Sequence, residues 1–183
     1  MAKHKFVPAW YTESTPQGTY RSLFKWGDPA GFKHPNSGLV KLVMDVFDLK
    51  KEDMQKPLDL ALDVITDSVP SKMAEKHLKE FKRICGEENV RVDTYDRVAK
   101  SYGGGMIDAL RLRKHIIENI PEAVVAPRSQ VEIEEIVKYC VREGIAIYVY
   151  GAGSTVTRGM EAVQGGIALD MSKHMNKEIK FNE

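Results

Sequence analysis

Apolar residues recur at helical spacing through the first two thirds of the chain, then switch to short β-branched runs separated by one amphipathic stretch. Leu39, Leu42, Val43, Val46 and Phe47 form an i, i+3, i+4 stripe behind Ser37, which can cap a first helix. Pro57 opens a second pattern through Leu58, Leu60, Ala61, Val64 and Ile65. Pro70 opens a third, with Ala74, His77, Leu78, Phe81, Ile84 and Cys85 on one face and Gly86 as its stop. A connector or short strand ends at Val90-Arg91-Val92. Asp93 or Thr94 then caps a short helix reaching Tyr102, three glycines at 103–105 form a flexible break, and a helix resumes over 107–118.

From Pro121 the pattern is that of alternating strands and helices. Ala123-Val124-Val125-Ala126 reads as a buried strand closed by Pro127. Ser129 and Glu132 have capping-box spacing before a helix carrying Val131, Ile133, Ile136, Val137, Cys140 and Val141, with Gly144 at its end. Ile145–Tyr150 and Gly166–Asp170 read as further strands, and Glu178-Ile179-Lys180-Phe181 as the start of another. A strand, one short helix and a strand imply parallel pairing through a right-handed crossover.

Composition narrows the possibilities. The 183 residues carry 27 Lys and Arg against 26 Asp and Glu, a net charge of +1, so no global field favours nucleic acid. No run approaches the roughly 20 apolar residues of a membrane span, and residues 1–8 lack a secretory apolar core. Cys85 and Cys140 both fall on helix faces among apolar neighbours and read as small core residues of a reduced, cytoplasmic protein. The five histidines show no metal-ligand spacing, and no metal site is expected; His77 reads as a satisfied core residue. Arg111, Arg113, Lys114 and His115 form a basic cluster for which a solvated face outweighs phosphate contact. Residues 1–36, with Trp10, Tyr11, Tyr20, Phe24, Trp26 and Phe32 among four prolines, form an irregular aromatic arm. That arm either packs on its own domain or docks another subunit.

The chemistry concentrates at Gly151-Ala152-Gly153-Ser154-Thr155, directly after the Ile145–Tyr150 strand. Glycines let backbone approach a ligand, successive amides of such a turn form an anion-binding nest, and the two hydroxyls add donors. A diphosphate suits it. Val156 stands where a dinucleotide fingerprint needs glycine, and no Lys-Ser/Thr pair makes it a P-loop. Taken alone, the loop is equally well a plain strand-to-loop turn.

Its surroundings tip that balance. Pro121 to Pro127, Ser129 to Cys140, the glycine loop with Gly159, and Leu169-Asp170-Met171-Ser172-Lys173-His174-Met175-Asn176 together resemble the FAD-binding domain of the vanillyl-alcohol oxidase type flavoproteins. Within them the chain looks most like the branch of alkyldihydroxyacetonephosphate synthase and the glycolate and D-lactate dehydrogenases. Asp96 to Gly103 and Leu110 to Arg113 are similar to the synthase's approach to its FAD domain. The resemblance implies an α/β (α+β) fold: an irregular arm over 1–36, a helical lead-in over 37–120, and over 121–183 the first βαβ subdomain of a PCMH-type FAD-binding domain, incomplete at its C-terminus.

The same resemblance implies FAD as cofactor, its pyrophosphate held by amides around Gly151, Ala152, Gly153, Ser154 and Thr155, with Pro127, Tyr150 and Gly159 shaping the pocket. The loop departs from the family's usual Gly-Gly-Gly-Thr-Ser at Ala152 and in the order of Ser154 and Thr155. Members of the family continue for several hundred residues beyond this point, and their catalytic positions have no counterpart here. The expectation is therefore the N-terminal part, or one subunit, of an FAD-dependent oxidoreductase, not catalytic alone. It would work as a homo-oligomer or with a second chain carrying the rest of the FAD domain, since an unfinished sheet favours pairing. A flavin-free binding or scaffold subunit, an alkyldihydroxyacetonephosphate synthase-like transferase, and a phosphate-binding domain unrelated to flavin stay open.

Overall fold

The computed structural model describes residues 37–53 and 68–176, together with Gly18, Leu23 and Ile65. The aromatic arm, the Pro57 helix and the strand at Glu178–Phe181 lie outside the described residues. The chain divides into two compact units, Met1–Val64 and Ile65–Glu183.

In the first unit, helix α1 spans Ser37–Val46. Ser37 is its first helical residue rather than its cap. The expected apolar stripe is not a buried face: Val40 is buried, whereas Leu39, Leu42, Val46 and Phe47 are exposed.

The second unit holds the remaining described elements. Helix α2 (Glu75–Cys85) starts later than Pro70 would place it, at Ala74, and stops at Gly86, whose φ of 90° no side-chain-bearing residue adopts easily. A single 3₁₀ turn, Glu87–Asn89, leads into strand β1 (Val90–Arg91). Asp93 caps α3 (Thr94–Ala99) by accepting a hydrogen bond from the Asp96 amide at 2.9 Å. Helix α4 (Met106–Arg113) ends a full turn before the expected 118. The chain leaves helical space there, with His115 at φ 56° and Asn119 at φ 51°.

Strand β2 (Ala123–Val125), helix α5 (Gln130–Glu143), strand β3 (Ile147–Tyr150) and strand β4 (Ile167–Asp170) follow. Gly144 ends α5 in the left-handed region at φ 68°. Only half the capping box forms as expected. Ser129 Oγ accepts from the Glu132 amide at 3.3 Å, but the Glu132 carboxylate turns to the Arg128 amide at 2.7 Å and the Arg128 guanidinium at 2.8 Å. A charged partner one residue upstream outcompetes the Ser129 amide.

The four strands form one mixed sheet in the order β1-β2-β4-β3. β1 pairs antiparallel with β2, and β2, β4 and β3 run parallel. The pairing expected between β2 and β3 is therefore corrected: α5 carries the chain past one strand position, which β4 later fills. A central strand buries both faces, which explains why every residue of β2 and β4 is buried while β3, at the edge, is half-exposed. Ala123, Val125, Ile167 and Leu169 point to one side, as alternation dictates, and join Phe81, Ile84, Cys85, Ile136, Tyr139 and Cys140 of α2 and α5 in the core.

Both cysteines are free and buried in that core, and burial pushes each thiol up to about 11. His77 Nδ1 lies 2.7 Å from the Tyr139 hydroxyl, the satisfied position the sequence suggests.

Candidate functional site at the strand ends

β3 delivers Tyr150 to the C-terminal edge of the sheet, where β4 brings Asp170 into register beside it. The Met171 amide donates to the Tyr150 carbonyl at 2.8 Å, so the two strand exits are tied before the chains diverge. The chain then turns through Gly151 and exposed Ala152 to Gly153, whose φ is 65°. A Cβ at Gly153 would strike the Tyr150 hydroxyl, so this position needs glycine for its angle and for its space. At Gly151 nothing lies within 4 Å of where a Cβ would stand, so no crowding demands glycine there.

Among the described residues, the backbone amides of Gly151 to Val156 donate to no protein acceptor; Thr157 reaches only Thr155 Oγ1, at 3.4 Å. Six successive amides without partners, beside a left-handed glycine at the ends of parallel strands, form a row of free donors. That is the arrangement an anion such as a diphosphate fills. Exposed Ser154 and half-buried Thr155 add hydroxyls.

Tyr150 is held by its surroundings. Lys100 Nζ stands 4.2 Å from the ring centroid, 3.1 Å from Asp170 Oδ2 and 3.0 Å from Ser172 Oγ. Asp170 Oδ1 in turn accepts from the Ser172 amide at 2.9 Å and its hydroxyl at 2.6 Å. Burial, and secondarily the Asp170 carboxylate, hold the Tyr150 phenol above its ordinary value.

Pro127 is buried where the chain leaves β2, just after Ala126 donates to the Asn89 carbonyl at 2.9 Å. Gly159 is exposed, and a Cβ there would meet only Thr157 Oγ1 at 3.9 Å, so no crowding demands glycine.

Sequence reasoning missed the neighbours that brace this loop. Gly103–Gly105 is not a loose break. The Gly104 amide donates to the Thr155 carbonyl at 2.9 Å, and a Cβ at Gly103 would collide with that same carbonyl. The three consecutive glycines were the available signal, since they reflect close backbone approach as well as flexibility. Beyond the loop, buried Asp108 faces Arg158, Oδ1 to Nε 3.3 Å, and Arg158 reaches Glu161 at 2.7 Å. Burial raises the Asp108 carboxyl above its usual range although Arg158 opposes the shift. Gly105, Met106, Ile107, Val156 and Thr157 join this pair around a cavity of about 360 Å³. Arg111, from the basic cluster, pairs with Glu118. Among the described residues there is no group of side chains able to hold a metal ion, and no helix long and apolar enough to cross a membrane.

Comparison with known proteins fits this geometry. Residues 121–183 match the FAD binding domain family. Alkyldihydroxyacetonephosphate synthase of Trypanosoma brucei brucei is 25% identical over 130 residues, 69% of this chain and 21% of that protein. The glycolate oxidase subunit GlcD of Bacillus subtilis (strain 168) is 30% identical over 112 residues, 61% of this chain and 22% of that protein. A solved alkyldihydroxyacetonephosphate synthase superposes with a TM-score of 0.58 at 22% identity, covering 63% of this chain and 23% of that one, which shows the fold. The chain spans about a fifth of the length of these relatives. The segment from Pro121 onward matches the FAD-binding domain family, its described part is α/β, and FAD is the cofactor that this match supports.

Proposed function

We propose that the chain serves an FAD-dependent oxidoreductase by holding the cofactor's pyrophosphate on the amides of Gly151–Thr155. The observation that carries this reading is the row of unpartnered amides at the C-terminal ends of β3 and β4. A pyrophosphate offers several acceptor oxygens to such a row, and charge-assisted bonds to backbone N–H groups are among the stronger ones available. Lys100 is already committed to Asp170, so the loop binds by its backbone dipoles, and the hydroxyls of Ser154 and Thr155 trim the fit. Pro127, Tyr150 and Gly159 shape the edges of the site. The bound flavin supplies reversible electron transfer; the protein's part is to place it and shield it.

The chain, on this reading, holds one portion of the flavin's envelope and does not turn over alone. Residues 121–183 are the first half of the FAD domain, 37–120 its helical lead-in and 1–36 an arm. β3 is the edge of the described sheet with Val149 exposed beside it, an opening for a strand from a second copy or a second chain. A cytoplasmic setting suits the two free thiols. The similarity to alkyldihydroxyacetonephosphate synthase favours a second reading, in which the same loop serves a synthase-like transferase.

Titration of the purified chain with FAD, followed by flavin fluorescence and absorbance, tests the loop. FAD should bind, ADP should compete because it shares the diphosphate, and riboflavin, lacking phosphate, should not. Binding of riboflavin as tight as that of FAD would remove the pyrophosphate loop from the account, and no binding of FAD or ADP would remove the function.

A further inference from the structure

The Gly151–Thr155 loop is held at its two ends by a segment that lies outside the matched FAD domain. We propose that residues 97–108 act as a clamp that sets the loop's shape, with Lys100 and Gly103 as its positioning residues for FAD. The proposal rests on the reading of Gly151–Thr155 as the pyrophosphate loop.

The clamp has a rigid base. Arg97 is buried in the second unit and donates from Nε to the Pro121 carbonyl at 2.6 Å and from Nη1 to the Val69 carbonyl at 2.5 Å. Its own carbonyl accepts the Ser101 hydroxyl. The residues that follow α3 are therefore fixed to the β2 side of the sheet before they touch the loop.

Three contacts then fall in order along the target. Lys100 meets the loop's entry: its ammonium contacts the last residue of β3 through the Tyr150 ring and the last residue of β4 through Asp170. One cation thereby joins both strand exits. The loop's last residue, Thr155, is met by Gly103 and Gly104, with the hydrogen bond from the Gly104 amide to the Thr155 carbonyl and no room for a side chain at 103. Gly105 and Asp108 meet its exit at the Val156 carbonyl and Arg158.

The middle contact has a directional consequence. The described peptides are all trans, and across a planar trans peptide the carbonyl and the next N–H point in opposite directions. Anchoring the Thr155 carbonyl on Gly104 therefore turns the Val156 amide away from Gly104, where among the described residues it meets no protein acceptor. A loop whose amides are oriented beforehand binds its anion without a further ordering cost.

The test uses the full chain with Lys100→Met, Lys100→Arg and Gly103→Ala. NMR amide order parameters, read without flavin, should fall in Lys100→Met and Gly103→Ala from about 0.85 toward 0.6 across residues 151–156, with β2 and β4 unchanged. The FAD dissociation constant should rise about tenfold in the same two variants, as loss of preorganisation predicts. Lys100→Arg keeps the cation and should retain both properties. Wild-type order parameters in both variants overturn the clamp; so does loosening spread equally over β2 and β4, which would mark a structural role only. Unchanged FAD affinity with a loosened loop overturns its bearing on flavin. Wild-type protein that fails to bind FAD sinks the pyrophosphate reading, and the order parameters still decide the clamp.

Discussion

The two ends of the parallel strands are built from the same kinds of residue and do opposite things with their backbone. At the N-terminal end hydrogen bonds tie neighbouring segments to one another. The Glu122 amide donates to the Gly166 carbonyl at 2.7 Å, Ile167 to Ala146 at 2.9 Å, Ala162 to Asn119 at 2.9 Å, and Arg97 seals the Pro121 carbonyl. At the C-terminal end the strand exits are tied, but six amides after Tyr150 are left with no protein partner. Backbone donors satisfied internally stabilise the fold, and donors left over at an exposed turn are available to a ligand. On the proposed reading, the same sheet has a structural end and a binding end.

Arg97 offers the strongest way to break the structural end. Arg97→Met should cost about 3 kcal/mol in denaturant unfolding, because it strands the buried Pro121 carbonyl, frees the half-buried Val69 carbonyl and removes the cation that faces the Glu122 carboxylate at 3.6 Å. A loss below about 1 kcal/mol would show that the closed end is not where stability resides.

The next two predictions apply one substitution to both ends. Gly166 has φ 81°, and its Cβ would run into the Ala146 carbonyl, so Gly166→Ala should destabilise by about 2 kcal/mol. Its effect on FAD affinity in the folded fraction should be small. Gly153→Ala meets a φ of 65° and the far end of the Tyr150 side chain rather than backbone, so it should cost about 1 kcal/mol of stability. FAD binding should weaken about tenfold, or roughly 1.4 kcal/mol, as the loop is forced to another shape. If both variants lost stability and affinity in equal proportion, the contrast between the two ends would dissolve.

Asp108 sharpens the boundary of the binding end with the smallest effect. Burial raises its folded value above 3.8 even with Arg158 beside it, so folding favours the protonated form. Its contribution to stability is fully present below the unfolded value and is lost as pH rises through the raised folded value. Asp108→Asn should therefore stabilise the protein at pH 7 by up to about 1 kcal/mol, with a smaller effect at pH 4, where the wild-type carboxyl is more protonated. Urea unfolding at pH 4 and pH 7 measures both. Destabilisation at pH 7 would mean that the Arg158 pairing outweighs burial.

Much of this was legible in sequence for local reasons. Asp93 and Ser129 announce helix starts because a short oxygen-bearing side chain reaches an amide two or three residues on, and Gly86 and Gly144 announce stops because they hold positive φ. Gly-x-Gly-Ser-Thr after a β-branched run marked the donor row. Other features escaped because they depend on partners distant in the chain. The apolar stripe of α1 looked like a buried face, yet most of it is exposed. The helix expected to reach 118 stops at Arg113, where the chain turns and Tyr102 and Arg111 both engage Glu118. The three glycines after Tyr102 read as slack because propensity records their freedom and not the carbonyl they accommodate.

The sequence by itself determined the βαβ grammar from Pro121 on, the helix ends, and the position of the amide row, since each is set by residues within a few positions of one another. Tertiary structure decided that β4 enters between β2 and β3, that Lys100 unites Tyr150 with Asp170, and that Gly104 holds Thr155. Those are pairings across tens of residues. They are chosen by which backbones can approach and which charges find partners once the core has closed, and no local pattern carries that information.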